Sequence, residues 1–170
     1  MSRLVADASA LVSLGIVAGT EPDPLSMGLT RYEVVVPEAV IEELEEIASY
    51  DDAHGHAAAT VLDRTEVLDI RSVMLDAEFP LDDGENAAVT LANDLDAALF
   101  LCDEFNQLGL IHASLADTRL VTTPTLLSIL VRAEELSATD AGLLLDEISD
   151  ARSWSANSYV QRARSLLEES

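Results

Sequence analysis

The stretch that most constrains this chain is residues 83–104, DGENAAVTLANDLDAALFLCDE. Its first half repeats apolar side chains at helical spacing, at Ala88, Leu91, Ala92 and Leu95. Its second half, residues 97–102, is the short apolar run typical of a buried parallel strand. Glu85 opens the predicted helix and Asp103 follows the predicted strand. Because ligands bind where the strands of an open parallel sheet end and helices begin, both carboxylates should face that edge.

Strand-like and helical segments alternate along the rest of the chain. The predicted strands are short and apolar or β-branched, at residues 3–6, 32–36, 66–70 and 119–122. The predicted helices lie at residues 8–17, 37–49, 52–64, 123–136, 139–151 and 155–168. Residues 18–31 and 71–82 are predicted to be loops, and whether residues 110–115 form a further strand is left open. This alternation favours an α/β fold with a central, mostly parallel sheet of about five strands and a helical cover at the C-terminal end.

Length and composition limit the possible domain organisation and the expected cellular location of the protein. A chain of 170 residues favours a single domain over 1–170, with a core at about 3–136 and a helical extension at about 137–170. No apolar run could cross a bilayer and no signal-like stretch opens the chain, so we expect a cytoplasmic protein with no membrane partner. The single cysteine, Cys102, lies in the apolar strand and is expected to be an unreactive buried side chain.

The charge balance is extreme, with 32 acidic against 9 basic residues and a formal net charge of -23. Every base is an arginine. Such a surface repels itself in dilute buffer and tolerates molar salt, so we expect a halophilic source. A basic patch, the usual source of nucleic-acid affinity, is missing. Divalent cations that bridge protein carboxylates to phosphates would still allow a nucleic-acid substrate.

Four acids stand out by position: Asp7, Glu43, Glu85 and Asp103. Each has a structural alternative, because Asp7 and Asp103 could be N-caps, Asp82 and Glu85 fit a capping box, and Glu43 could be an edge residue that reaches for solvent. These alternatives do not explain why three of the acids fall at ends that a parallel sheet brings together. Nor do they explain why Glu43 borders the apolar face of its helix, where an ionised carboxylate is costly without a partner.

Four converging carboxylates would repel one another, and divalent cations would resolve that repulsion. Mg²⁺ or Mn²⁺ takes oxygen ligands, activates bound water, and as a pair can stabilise both oxygens of a phosphoryl displacement. The pattern therefore favours metal-assisted phosphodiester hydrolysis. It does not decide whether one or two ions bind. Ser9 is placed to hydrogen-bond a carboxylate or a bound water. His54 and His56, two residues apart on a helix, diverge and are expected to be solvated.

Four segments together resemble a PIN domain, especially the branch that includes VapC-type toxins. They read LVADASALVSLG, VVVPEAVIEEL, DDGENAAVTLA and ALFLCDE, and the resemblance runs over residues 3–136. It implies a three-layer α/β/α sandwich on a parallel sheet and a Mg²⁺- or Mn²⁺-dependent ribonuclease, often dimeric, with an antitoxin as partner of the toxin members. The resemblance places the catalytic and metal-binding acids at Asp7, Glu43, Glu85 and Asp103 and the supporting hydroxyl at Ser9.

The chain also departs from that pattern. Residues 104–118 follow it poorly, so whether Glu104, Asn106 or Asp117 joins the site is open. The basic residues that toxin members carry around the cleft are reduced to scattered arginines, and those near the C-terminal end, Arg152, Arg162 and Arg164, are expected to be solvated or ion-paired.

Other classes with acids at strand ends fit less well. A receiver domain needs a lysine, which this chain lacks, and a haloacid-type phosphatase needs an acid where Ser9 stands. The alternative that stays open is a PIN-like module that binds a protein partner without cutting RNA.

Overall fold

The computed structural model describes residues 1–169 and contains one five-stranded sheet. All four strand pairings are parallel, and the spatial order is β3-β2-β1-β4-β5. The strands are β1 (Arg3–Ala6), β2 (Glu33–Pro37), β3 (Asp69–Arg71), β4 (Leu99–Leu101) and β5 (Arg119–Val121). The expected parallel sheet of five strands is confirmed.

Helices connect the strands and cover both faces of the sheet, giving the expected three-layer α/β/α sandwich. The α-helices of the described residues are α1 (Ala8–Ile16), α2 (Pro24–Arg31), α3 (Glu38–Ala48), α4 (Ala53–Leu62), α5 (Asp83–Leu95), α6 (Leu108–Ser114), α7 (Thr123–Arg132), α8 (Ala138–Arg152) and α9 (Ser158–Glu168). A short 3-10 helix, Thr65–Val67, precedes β3. Within residues 1–169, no helix is long and apolar enough to span a membrane.

The register of the central strands decides which residues meet at the sheet edge. β1 lies between β2 and β4, with Ala6 opposite Leu101. The backbone N–H of Asp7 donates to the carbonyl of Leu101 at 2.9 Å, so the two strands end side by side. The residues that follow them, Asp7 and Cys102 onward, are thereby brought to one edge, as the sequence predicts.

The core explains why the strands are nearly all apolar. Val5, Val35 and Phe100, on three neighbouring strands, are fully inaccessible to solvent, as expected for a sheet covered on both faces. Cys102 is also fully buried, as predicted.

The C-terminal helices pack into the same core rather than apart from it. α8 packs against α1 and α7, and α9 against α7 and α8. Their apolar faces are buried within the chain, at Leu145, Ile148, Val160, Ala163 and Leu167. These faces therefore do not by themselves point to a dimer interface.

The structure corrects two local predictions and resolves a third. The predicted loop at residues 18–31 is wrong in its second half, because α2 forms there with Pro24 at its first position and Asp23 capping Leu25 and Ser26. The strand predicted at 66–70 begins only at Asp69, after the 3-10 helix. Residues 110–115, considered as a possible further strand, lie largely in α6 and form no strand.

The close contact between α1 and α4 predicts a stability effect at Gly15. A Cβ at this position would overlap the carbonyl oxygen of Ala57, which belongs to the backbone and cannot easily move. We expect Gly15→Ala to lower the free energy of unfolding by about 1–3 kcal/mol in chemical denaturation. Gly28→Ala is the control, since no atom beyond its chain neighbours and its own helix backbone lies within 4 Å of the place that its added methyl would take. Equal effects of the two changes would contradict the packing argument.

Candidate active site

β1 and β4 bring two carboxylates to the same edge of the sheet. Asp7 directly follows β1, and Asp103 lies two residues beyond β4. Both side chains are buried, with 2% and 4% of their surface exposed. Ser9 connects them, because its hydroxyl donates to Oδ2 of Asp7 at 3.1 Å and accepts the backbone N–H of Asp103 at 2.9 Å. Ser9 thereby fixes the position of one acid relative to the other.

The Asp7 side chain does not stabilise the helix that it precedes. Asp7 occupies the N-cap position of α1 with an extended backbone, yet its side chain makes no capping hydrogen bond, and within the first turn it accepts the bond from the Ser9 hydroxyl. Its Oδ1 atom is buried and has no hydrogen-bond partner among residues 1–169. A buried carboxylate oxygen without a partner is costly. Helix capping therefore does not account for Asp7.

Asp103 is held through both of its oxygens by Thr123, the first residue of α7. The backbone N–H of Thr123 donates to Oδ1 at 2.7 Å, and its hydroxyl donates to Oδ2 at 2.6 Å. Asp103 therefore accepts hydrogen bonds from the first residue of α7, a helix that is distant in sequence. It does not cap the following helix α6, whose N-cap position is Gln107. Each carboxylate oxygen keeps a second lone pair, so these bonds orient the group without excluding a further ligand.

α3 and α5 bring Glu43 and Glu85 to the same region. The first turn of α5 approaches α3 so closely that a Cβ at Gly84 would overlap Oε2 of Glu43. The capping part of the predicted capping box is present, because the backbone N–H of Glu85 donates to Oδ1 of Asp82 at 2.8 Å. Glu85 is 7% exposed, so its carboxylate is buried beside that cap.

The pKa shifts show which acids interact electrostatically with one another. Burial, together with neighbouring negative charges, raises the pKa of Asp7 to about 6, of Glu43 to about 7 and of Glu85 to about 8, and at Asp7 the Ala8 backbone N–H and the Ser9 hydroxyl oppose the rise. Asp82 and Glu104 contribute to all three shifts, and Asp7 contributes to those of both glutamates. None of these contributions comes from a cation. The result is a cluster of negative charge that the surrounding side chains do not neutralise.

Asp103 lies beside a cation that the sequence does not reveal as part of the site. Burial raises the pKa of Asp103, while the hydrogen bonds from Thr123 and the charge of Arg152 lower it. Arg152 is partly buried, and its guanidinium also lies over the ring of Trp154, 5.8 Å from the centroid. The sequence predicts a solvated or ion-paired Arg152. The structure places it, partly buried, near Asp103 and Glu104, where burial lowers its pKa and the charges of the two acids raise it.

Sequence reasoning misses several members of this site. The sequence indicates only a capping role for Asp82 and leaves Glu104 open, yet both lie in the field of the other acids. The sequence does contain a signal for both, because Asp82 lies three residues before Glu85 and Glu104 directly follows Asp103. Gly84 and Arg152 have no comparable signal, since their roles depend on contacts between separate elements. Asn106 and Asp117 are exposed, and nothing in the structure assigns them to the site.

The chain that carries these acids matches a known family. The family model DUF3368, described as a PIN domain, matches residues 3–169. The chain belongs to the PIN domain family. PIN domains are commonly nucleases and generally use divalent metals. No curated protein matches the chain.

Whether the acids of this PIN domain suit such a metal depends on their arrangement and on their free oxygen atoms. Among residues 1–169, no three His, Cys, Asp or Glu side chains already stand in the arrangement of a metal site. His54 and His56 have separate partners, the carbonyl of Ala151 and the carboxylate of Asp51. The unpartnered Oδ1 of Asp7 and the unneutralised carboxylates around it nevertheless fit a hard divalent cation, which takes oxygen ligands. The donor chemistry of the site therefore fits the metal that the family uses.

The buried charge of Asp7 predicts that its removal stabilises the metal-free PIN domain. Because folding raises the pKa from 3.8 to about 6, ionisation of Asp7 disfavours the folded state, and stability is lost as the pH rises from about 4 through 6. In EDTA at alkaline pH, we expect Asp7→Asn to raise the free energy of unfolding by about 1–3 kcal/mol. The gain should become small near pH 4, where the carboxyl of the folded wild type is also neutral.

Chemical denaturation over a pH series measures this effect. The control is Asp94→Asn, the same change at an exposed position of α5. A destabilised Asp7→Asn variant at alkaline pH, or an equal gain in both variants, would contradict the argument.

Proposed function

We propose that this PIN domain is a metal-dependent endoribonuclease that hydrolyses RNA phosphodiester bonds with Mg²⁺ or Mn²⁺. The observation that carries the proposal is the buried, unpartnered Oδ1 of Asp7 within a cluster of acids of raised pKa. Family membership supports a nuclease as the general class. The residues that would hold the metal are Asp7, Glu43, Glu85 and Asp103, with Ser9 in support.

The parts of the site have separate tasks in this proposal. When bound, a divalent cation would polarise the scissile phosphodiester and activate water for its hydrolysis. Ser9 keeps Oδ2 of Asp7 engaged, which leaves Oδ1 as the free donor atom. Thr123 fixes the carboxylate of Asp103 through two short bonds, and Arg152 offsets part of its charge. The raised pKa values of Glu43 and Glu85 suit groups that exchange protons near neutral pH until a cation holds them ionised.

The proposal extends to the biological setting. We infer a VapC-type toxin that acts in the cytoplasm of a halophile, with an antitoxin protein as its inhibitor and a homodimer as its assembly. The net charge of -23 and the absence of lysine support the halophilic source. The resemblance of four sequence segments to the toxin branch supports the antitoxin and the homodimer, and the expectation of a cytoplasmic location rests on the lack of a signal-like or bilayer-spanning stretch.

A second candidate is a PIN-like module that binds a protein without cutting RNA. The observation in its favour is that no group of three metal ligands is already arranged within residues 1–169. In addition, both oxygens of Asp103 already accept hydrogen bonds from Thr123. The two candidates make opposite predictions for the response to metal.

A Mn²⁺ titration separates them. For a nuclease we expect Mn²⁺ to raise the melting temperature of the wild type by several degrees and to support cleavage of RNA at the salt concentration where the protein is folded. Asp7→Asn should remove both effects while it leaves the fold intact by circular dichroism, and Asp94→Asn should retain them. A wild type that neither binds Mn²⁺ nor cuts RNA would favour the binding module, and cleavage by Asp7→Asn at the wild-type rate would refute the catalytic assignment.

The contact between Gly84 and Glu43 gives a further test. In Gly84→Ala the new methyl would displace the Glu43 carboxylate, which is the end of a flexible side chain, so metal-free stability should change by less than about 1 kcal/mol. We expect the stabilisation by Mn²⁺ and the cleavage rate to fall, because Glu43 no longer lies where the first turn of α5 leaves room for it. Gly142→Ala, with open space around its methyl, is the control. Unchanged Mn²⁺ stabilisation in Gly84→Ala would exclude Glu43 as a ligand.

A further inference from the structure

Most of the nine arginines lie against acids of this strongly acidic chain. Five form ion pairs within the described residues: Arg3 with Glu33, Arg31 with Glu135, Arg64 with Asp23, Arg71 with Asp69 and Arg164 with Asp146. A sixth, Arg152, lies in the field of Asp103 and Glu104. With 32 acids available, a paired arginine is what the composition leads one to expect.

The other three arginines form no ion pair with any acid of residues 1–169, and they line one cavity. Arg119, Arg132 and Arg162 are exposed, and all three border a cavity of about 650 Å³ that we name the arginine pocket. They come from three different elements, β5, α7 and α9. Their convergence is therefore a product of the fold and not of a basic stretch in the sequence.

The rest of the pocket lining is a mixture of hydroxyl and apolar groups. Thr125 and Ser128 of α7 contribute hydroxyls, and Leu120, Ile129 and Tyr159 contribute apolar surface. β5 is an edge strand that pairs only with β4, so no further strand of the described residues fills the space beside it. The Tyr159 ring is held in place by stacking on Phe105, with centroids 5.7 Å apart. The pocket thus combines positive charge with a firm apolar wall.

Two of the arginines lie far from the carboxylate cluster. Arg119 begins β5 and Arg132 ends α7, whereas Thr123, which holds Asp103, begins α7. At 1.5 Å per residue, Arg132 lies roughly 13 Å along the helix axis from Thr123. These two cations therefore lie at the ends of β5 and α7 that are remote from Thr123, and the pocket extends from them to Thr122 at the start of α7.

We propose that the arginine pocket binds an acidic peptide segment of a partner protein, with an apolar side chain of that segment against Leu120 and Ile129. Guanidinium groups bind carboxylates in a planar, two-point geometry, and three of them without ion-pair partners among residues 1–169 provide charge complementarity to such a segment. The aliphatic surface of Leu120 and Ile129 suits an apolar side chain of a peptide and distinguishes it from a bare phosphate, which would leave that surface uncovered. This interaction is independent of the proposed nuclease activity.

Fluorescence anisotropy with designed probes tests the proposal. The probe is a fluorescein-labelled peptide of Asp and Glu around a central leucine pair, and its matched control has Asn and Gln in place of the acids. We expect the acidic probe to bind the wild type, at the salt concentration where the protein is folded, and the triple variant Arg119→Gln, Arg132→Gln, Arg162→Gln to weaken its binding at least about 10-fold. The amide probe should bind weakly to both proteins.

A second triple variant controls for net charge. Arg3→Gln, Arg31→Gln, Arg71→Gln removes the same charge from exposed ion pairs elsewhere and should leave probe binding unchanged. Equal loss in both triple variants would show a general charge effect and overturn the proposal, as would equal binding of the acidic and amide probes. Binding of a polyuridine RNA or of inorganic phosphate that depends on the pocket arginines, without binding of the acidic peptide, would overturn it too and assign the pocket to phosphate groups.

Discussion

The buried carboxylate of Asp7 is the constraint on which the rest of the site depends. It lies at the end of the central strand, almost fully removed from water, with one oxygen bonded to Ser9 and the other without a partner among residues 1–169. A folded protein tolerates such a group only where the surrounding packing is strong enough to hold it. Here the apolar strands β1, β2 and β4 supply that packing, since their central residues are fully buried.

The helices on the two sides of Asp7 differ in the charges that they place near it. On the side of α3 and α5, Glu43, Glu85 and Asp82 add negative charge, and the pKa values of both glutamates rise in response. On the side of α7 and α8, Thr123 and Arg152 compensate Asp103. The site is therefore polarised, with a restrained acid on one side and an unneutralised group of acids on the other. A cation that joined the group would stabilise the folded protein as well as provide chemistry.

The arginines show how a chain with net charge -23 distributes its few positive charges. Most are used to neutralise nearby acids, and one is partly buried next to the site. Those of the arginine pocket form no ion pair within residues 1–169, and two of them, Arg119 and Arg132, lie at the ends of β5 and α7 that are remote from Thr123. A protein with this arrangement presents two chemically opposite surfaces, one suited to cations and one to anions, which approach each other at the start of α7, where Thr122 lines the pocket and Thr123 holds Asp103.

The sequence by itself determined the α/β class, the parallel sheet, the strand ends that carry Asp7 and Asp103, and the capping of α5 by Asp82, because apolar periodicity and capping chemistry are local. It also contained the signal for α2, in Asp23 and Pro24, which the Gly- and Pro-rich surroundings obscured. The site roles of Asp7, Glu43, Glu85 and Asp103 stay predictions that the geometry supports. Only the tertiary structure decided that Thr123 holds Asp103, that Gly84 leaves room for Glu43, that Arg152 lies by the acids and that three arginines share a pocket. Each of these depends on elements far apart in sequence, whose contacts are set by packing that no local pattern records.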